Sequence, residues 1–224
     1  MGAITDPQLT STRGDLGMGI YGLSDLRSFL SLYGTPEDGK QAGRWLKQVL
    51  NPVEHSRWRA DYSFSDLVSL FVVRQLRLRG VKPRKIRTAE QYLRERWATD
   101  RPFAREDIKT DGVEVFCEDD IEGGVVEVAS RRGQAAIREA VAEGLASVFY
   151  DEGSAVYWTP MPGVLIDPRV QFGAPVVEGT RIPTDAVFGV VKQLGIARAM
   201  RRFDLSAEHI DKALAFEERI ATFN

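Results

Sequence analysis

Apolar residues recur along this chain with two different periods, and the changes between them mark its parts. Leu26, Phe29, Leu30 and Tyr33 follow helical spacing, with Ser24 as candidate N-cap and Asp25 in the first turn, before Gly34 and Pro36 break the run. A second helix is expected from about Gly39 to Leu50, because Ala42, Trp45, Leu46, Val49 and Leu50 make one complete apolar face. After Asn51-Pro52, the stretch VEHSRWRADYSF is short and punctuated and suits a small hairpin, or wing, with Arg57, Trp58 and Arg59 near its tip. Ser63 or Ser65 then caps a strongly apolar helix through Leu67, Val68, Leu70, Phe71, Val72, Val73 and Leu76, ending near Gly80. Pro83 opens another, with Ile86, Leu93 and Trp97 on its inner side.

Beyond Asp111 the period falls to two. VEVFCE, VVEVAS and AVYWTP read as strands, with a tight turn at Gly123-Gly124, and an amphipathic helix carrying Ile137, Val141, Leu145 and Val148 lies between Gln134 and Tyr150. VLI is a further short strand, followed by a turn at Asp167-Pro168 and a hairpin-like excursion through Gly173 and Pro175. Three short helices close the chain. The first is capped by Thr184 or Asp185, carries Val187, Val190, Val191 and Leu194 as its core stripe, and stops at Gly195. The second is IARAMRRF, and the third is capped by Ser206, with Ile210, Ala213, Leu214 and Ile220 inward.

The expected fold is mainly α with a small α+β middle unit. A flexible arm (1–19) precedes an N-terminal winged helix-turn-helix (20–102). An acidic α+β unit (103–161) and a C-terminal helical, helix-turn-helix-like domain (162–224) follow.

Composition narrows the function. With 43% hydrophobic and 28% charged residues among 224, wholesale disorder is excluded. No run approaches the roughly 18 apolar residues that span a bilayer, and the first residues lack the basic-then-apolar order of a signal peptide, so a cytoplasmic, non-membrane protein is expected. The lone Cys117 excludes an internal disulfide framework and reads as packing in a strand. The net charge of −2 hides a strong asymmetry: 17 Lys/Arg against 11 Asp/Glu in 1–102, 5 against 13 in 103–161, and 8 against 8 in 162–224. A basic first third fits a polyanion, and the acidic middle does not.

The second helix sharpens that reading. Opposite its apolar face stand Lys40, Gln41, Arg44, Lys47, Gln48 and Asn51, with no acid among them. A surface helix usually mixes signs, because Glu–Lys pairs stabilise it. Cations and amides alone are the groups that contact phosphates and purine edges in a major groove. Lys40, Gln41, Arg44, Lys47 and Gln48 are therefore the first candidate DNA contacts, and Arg57 and Arg59 on the wing the second, with Trp58 packing the wing onto the body. From Arg74 to Arg101, ten Lys/Arg against three Asp/Glu leave further cations for phosphate contacts. No catalytic constellation, metal site or cofactor is expected: two histidines lie far apart, the cysteine is alone, and no glycine loop cradles a phosphate. Glu118, Asp119 and Asp120 match no calcium loop and read as a solvated turn.

Two resemblances follow from particular strings. YGLSDLRSFLSLYG, GRWLKQVL and YSFSDLVSLFVVRQLRLRGVKPRKIRTAEQYL together resemble the winged helix-turn-helix of MerR-type regulators over about residues 20–97, although no heptads continue after Trp97 to form that family's long dimerisation helix. IDP, GAPVVEGTRIPT and FDLSAEHIDKALAFEE resemble the VapB-like predicted antitoxins over about 163–218, through Gly173, Pro175, Gly179, Thr180, Arg181, Ile182, Pro183, Leu205 and Ser206. That resemblance implies a small helical domain whose partner is a PIN-like ribonuclease toxin. Arg181 then has two readings, contact with a phosphate or toxin carboxylate, and pinning of its hairpin to Glu178 or Asp185.

The expectation is a DNA-binding antitoxin of a type II toxin–antitoxin system. It would act as a homodimer on its own operator, repressing its operon and neutralising the ribonuclease. The alternative is a MerR-like regulator that answers to a small ligand and has no toxin partner.

Overall fold

In the computed structural model the described residues are 20–32, 36–50, 62–110 and 131–221. The arm at 1–19, the wing with Arg57, Trp58 and Arg59, the strands expected at VEVFCE and VVEVAS, Cys117 and the Glu118–Asp120 cluster lie outside them. Eight α-helices and four short strands are described: α1 Leu23–Leu32, α2 Pro36–Trp45, α3 Phe64–Leu78, α4 Pro83–Trp97, α5 Arg131–Gly144, β1 Val148–Asp151, β2 Ser154–Met161, β3 Val164–Ile166, β4 Val176–Val177, α6 Thr184–Leu194, α7 Ile196–Phe203 and α8 Ala207–Ala221. The protein is mostly helical with one small antiparallel sheet of order β1-β2-β3-β4.

Helix α3 is central. Its start is set by a capping box: the Asp66 amide donates to Ser63 Oγ at 3.2 Å, and the Ser63 amide returns a bond to Asp66 Oδ2 at 2.8 Å. Asp66 also receives Arg101 Nε at 2.6 Å, so this buried carboxylate is both bonded and paired. Almost every side chain of α3 is buried, polar Ser69 and Arg74 included. A helix that is apolar around most of its circumference must be enclosed, and α1, α2, α4, α5 and the short 3₁₀ turn Pro102–Ala104 all pack against it.

The sheet joins the same core through Trp158 of β2, which is fully buried. Its ring meets Phe29 of α1 edge-on at 5.9 Å and Phe71 of α3 at 4.7 Å, and its Nε1 donates to Ser147 Oγ at 3.1 Å. Helix α8 spans two clusters. Phe216 enters the large core, while Ile210 and Ala213 join Val177, Val187, Ala199 and Leu205 in a smaller one. Near its end, Arg219 donates to the Leu32 carbonyl at 2.9 Å, satisfying a free carbonyl at the end of α1.

Several expectations shift. The second helix starts at Pro36 and becomes a π-helical turn over Leu46–Leu50, although all five expected apolar residues are buried. The helix expected through Tyr150 ends at Gly144, and Val148–Asp151 pairs with β2 as a strand. Val148 meets helical and alternating patterns equally well, and only the partner strand decides between them. Helix α6 begins after Pro183 without a side-chain cap. The boundary expected at 161/162 falls inside the β2–β3 hairpin, where Met161 pairs with Val164. The large core itself runs from Tyr21 to Phe216.

One consequence is measurable. Trp158→Ala removes a ring shared by α1, α3 and the sheet and is expected to cost about 3–5 kcal/mol. Denaturant unfolding followed by far-UV circular dichroism should show that loss in a single transition.

Candidate nucleic-acid interface

The orientation of α2 is fixed by a close approach to α1. A Cβ placed on Gly39 would lie 2.8 Å from the Arg27 carbonyl oxygen, so only glycine lets the two backbones meet there. Ala42 and Trp45 of α2, with Leu46, Val49 and Leu50 of the π turn, are buried. Lys40, Arg44, Lys47 and Gln48 are exposed, and Gln41 is half-buried at the edge of that face. The cationic stretch read from the sequence therefore meets solvent along Lys40–Gln48, but the helix that carries it begins at Pro36 and so also contains Glu37 and Asp38, which the expected start at Gly39 left outside it.

The π turn brings Lys47 and Gln48 up against α4. Together with Arg87, Gln91, Arg94 and Glu95 they line a cleft of about 520 Å³. The Gln48 carbonyl, in the last turn of this helix, accepts a bond from Arg87 Nε. Not all of the ten cations between Arg74 and Arg101 are available to a ligand. Arg74 is buried, Arg94 is paired with the buried Glu90 at 2.6 Å, and Arg101 is paired with Asp66. Arg87 and Gln91 are exposed beside Lys47. Sequence reading did not single them out, because the contact that places Arg87 is 39 residues distant along the chain. Arg57 and Arg59 lie outside the described residues.

The C-terminal string has a compact physical account. Arg169 clamps Asp167 with two guanidinium bonds, at 2.9 and 2.7 Å, fixing the Asp-Pro turn. β4 follows β3 antiparallel, and Gly179 turns the chain at φ +77°. Thr180 Oγ1 donates to the Val177 carbonyl at 2.8 Å and accepts from the Ile182 amide at 3.1 Å, closing the turn. Pro183 leads straight into α6, where the fully buried Thr184 donates to Glu217 Oε1 of α8. Arg181 is exposed and forms no ion pair with a described residue. Glu178 instead accepts from the Gly163 amide at 3.2 Å, so the hairpin is held without Arg181. Beside it, Gln171 and Phe172 adopt left-handed backbone, and Gln171 Nε2 donates to the Arg181 carbonyl at 3.1 Å.

Residues 164–216 match the family model described as a protein of unknown function (DUF433). The match begins in β3 and ends in α8, over the segment that carries the GTRIP string. No curated protein matches the chain. The X-ray crystal structure of Rv2018 from Mycobacterium tuberculosis is similar at a TM-score of 0.63 and 20% identity, covering 87% of this chain and 96% of that one. At such identity the likeness concerns the fold. Among the described residues no helix is long and apolar enough to cross a membrane, and no group of His, Cys, Asp and Glu is arranged to hold a metal.

Two measurements test this arrangement. Gly39→Ala forces α2 from α1 and should destabilise the protein by about 1–3 kcal/mol in chemical denaturation. Burial pushes the Glu217 carboxyl up, the Thr184 hydroxyl pulls it partly back, and nearby Asp185 adds to the rise. A carboxyl raised on folding binds its proton more tightly in the native state, so it stabilises the fold as pH falls through the raised value and weakens it as pH climbs. Thermal melts from mildly acidic to neutral pH should show this slope in the wild type and a flatter one in Glu217→Gln.

Proposed function

We propose that this protein is a DNA-binding antitoxin that represses its own operon and neutralises a PIN-like ribonuclease. The observation that carries the DNA reading is the division of the second helix. Its apolar face is wholly buried, and Lys40, Arg44, Lys47 and Gln48 stand on the exposed side without an acid between them. Lys40 and Lys47 serve as phosphate contacts, and Arg44 and Gln48, with Gln41 at the edge, lie nearest the bases. Arg57 and Arg59 extend the contacts from the segment after the π turn. The antitoxin part of the reading rests on the GTRIP string and its neighbours, with exposed Arg181 as the candidate contact to the ribonuclease. In this reading the protein works in the cytoplasm as a homodimer on a two-half-site operator.

The test is fluorescence anisotropy with duplex DNA from the protein's own promoter, over a salt series and against random duplex. Tight, salt-steep binding to the promoter should be lost in Arg44→Glu plus Lys47→Glu. Equal affinity for promoter and random duplex would overturn the autorepressor reading.

A further inference from the structure

The C-terminal segment is electrically neutral as a whole, yet its charges are segregated. Between Ala186 and Phe203 there are four cations, Lys192, Arg198, Arg201 and Arg202, and no acid. Helix α7 concentrates three of them. Its inward stripe is Ala199, Met200 and Phe203, with Ala199 fully buried and Met200 and Phe203 packed on the smaller core. Arg198, Arg201 and Arg202 fall within an arc of about 100° on the opposite side, at 3.6 residues per turn. All three are exposed, and none forms an ion pair with a described residue. The nearest acids in sequence lie beyond the helix: Asp204 terminates it in a left-handed conformation, and Glu208 is already paired with Lys212 at 2.6 Å.

We infer that this arginine face is a second anchor for the phosphodiester backbone of double-stranded DNA, separate from the face of α2. Planar guanidinium groups with free donors match phosphate oxygens in pairs. A protein partner is the poorer fit, because such an interface needs an apolar centre. The exposed apolar residues nearby, Leu194 and Ile196, do not supply one on this arc, since Leu194 belongs to α6 and Ile196, at about 100° per residue, falls on the opposite side of α7 from the arginines. The packing order also suits one duplex. α7 packs on α8, α8 on α1 and α1 on α2, so three interaxial steps of about 8–10 Å, together with the offset between contacts along α8, put the two cationic helices roughly 30 Å apart. One turn of duplex is about 34 Å.

The inference rests on the DNA-binding reading, and one experiment separates the two. Full-length wild type and the triple variant Arg198→Gln, Arg201→Gln, Arg202→Gln are titrated onto promoter duplex and random duplex between about 50 and 200 mM salt. Loss of three phosphate contacts should weaken binding to both duplexes alike, by at least about ten-fold, and make the log–log salt slope shallower by about 2 to 3. The triple Arg→Lys variant keeps the charge and should keep most of the slope, which holds the test open if the glutamine variant melts early. Wild-type binding with an unchanged slope in the glutamine variant would overturn the α7 anchor and leave the α2 reading standing. Wild type that binds neither duplex would overturn both.

Discussion

Helix α3 has almost no surface to give to water, and the rest of the structure is arranged around that constraint. Its apolar residues point in every direction, so a single partner cannot cover it. α1 and α2 close one side, α4 and the Pro102–Ala104 turn another, and α5 a third, while Phe71 meets Trp158 of the sheet. The charged group in its first turn, Asp66, is satisfied internally by the capping box and by Arg101. The helix is thus the centre of the large core and one of the elements on which α2 packs.

This enclosure decides which cations are free for a ligand. Arg94 and Arg101, which look available in the sequence, serve Glu90 and Asp66, and Arg74 is buried with α3. Others stay exposed on helices that bury only one face, among them Lys40, Arg44 and Lys47 of α2 and its π turn, Arg84, Arg87 and Arg96 of α4, and Arg198, Arg201 and Arg202 of α7. Such helices have a free side where like charges carry no folding penalty beyond mutual repulsion, and a polyanion would relieve that repulsion.

The segment from β3 to α8 shows how a short string becomes a structural device. Its glycine supplies the left-handed turn, its threonine closes it with two bonds, and its proline leads into the helix that buries Thr184 against Glu217. The arginine of that string takes part through its carbonyl, which accepts from Gln171, while its exposed guanidinium forms no ion pair with a described residue.

Local pattern was enough for much of this. Apolar spacing located α1, α3, α4 and the three last helices to within a few residues, the cap of α3 was narrowed to Ser63 or Ser65, of which the capping box uses Ser63, and the division of Ala42–Leu50 into an apolar and a cationic face needed only a count of positions. These properties are set by residues three or four apart, which the sequence states directly. The tertiary structure decided what depends on distant partners. Val148 is in a strand because β2 lies beside it, the last turn of the second helix faces Arg87 of α4, and the β2–β3 hairpin crosses an expected boundary. The arginines of α7 are all in the sequence, but that they share an exposed arc with no carboxylate of the described residues paired to them follows only from which side of the helix the small core takes.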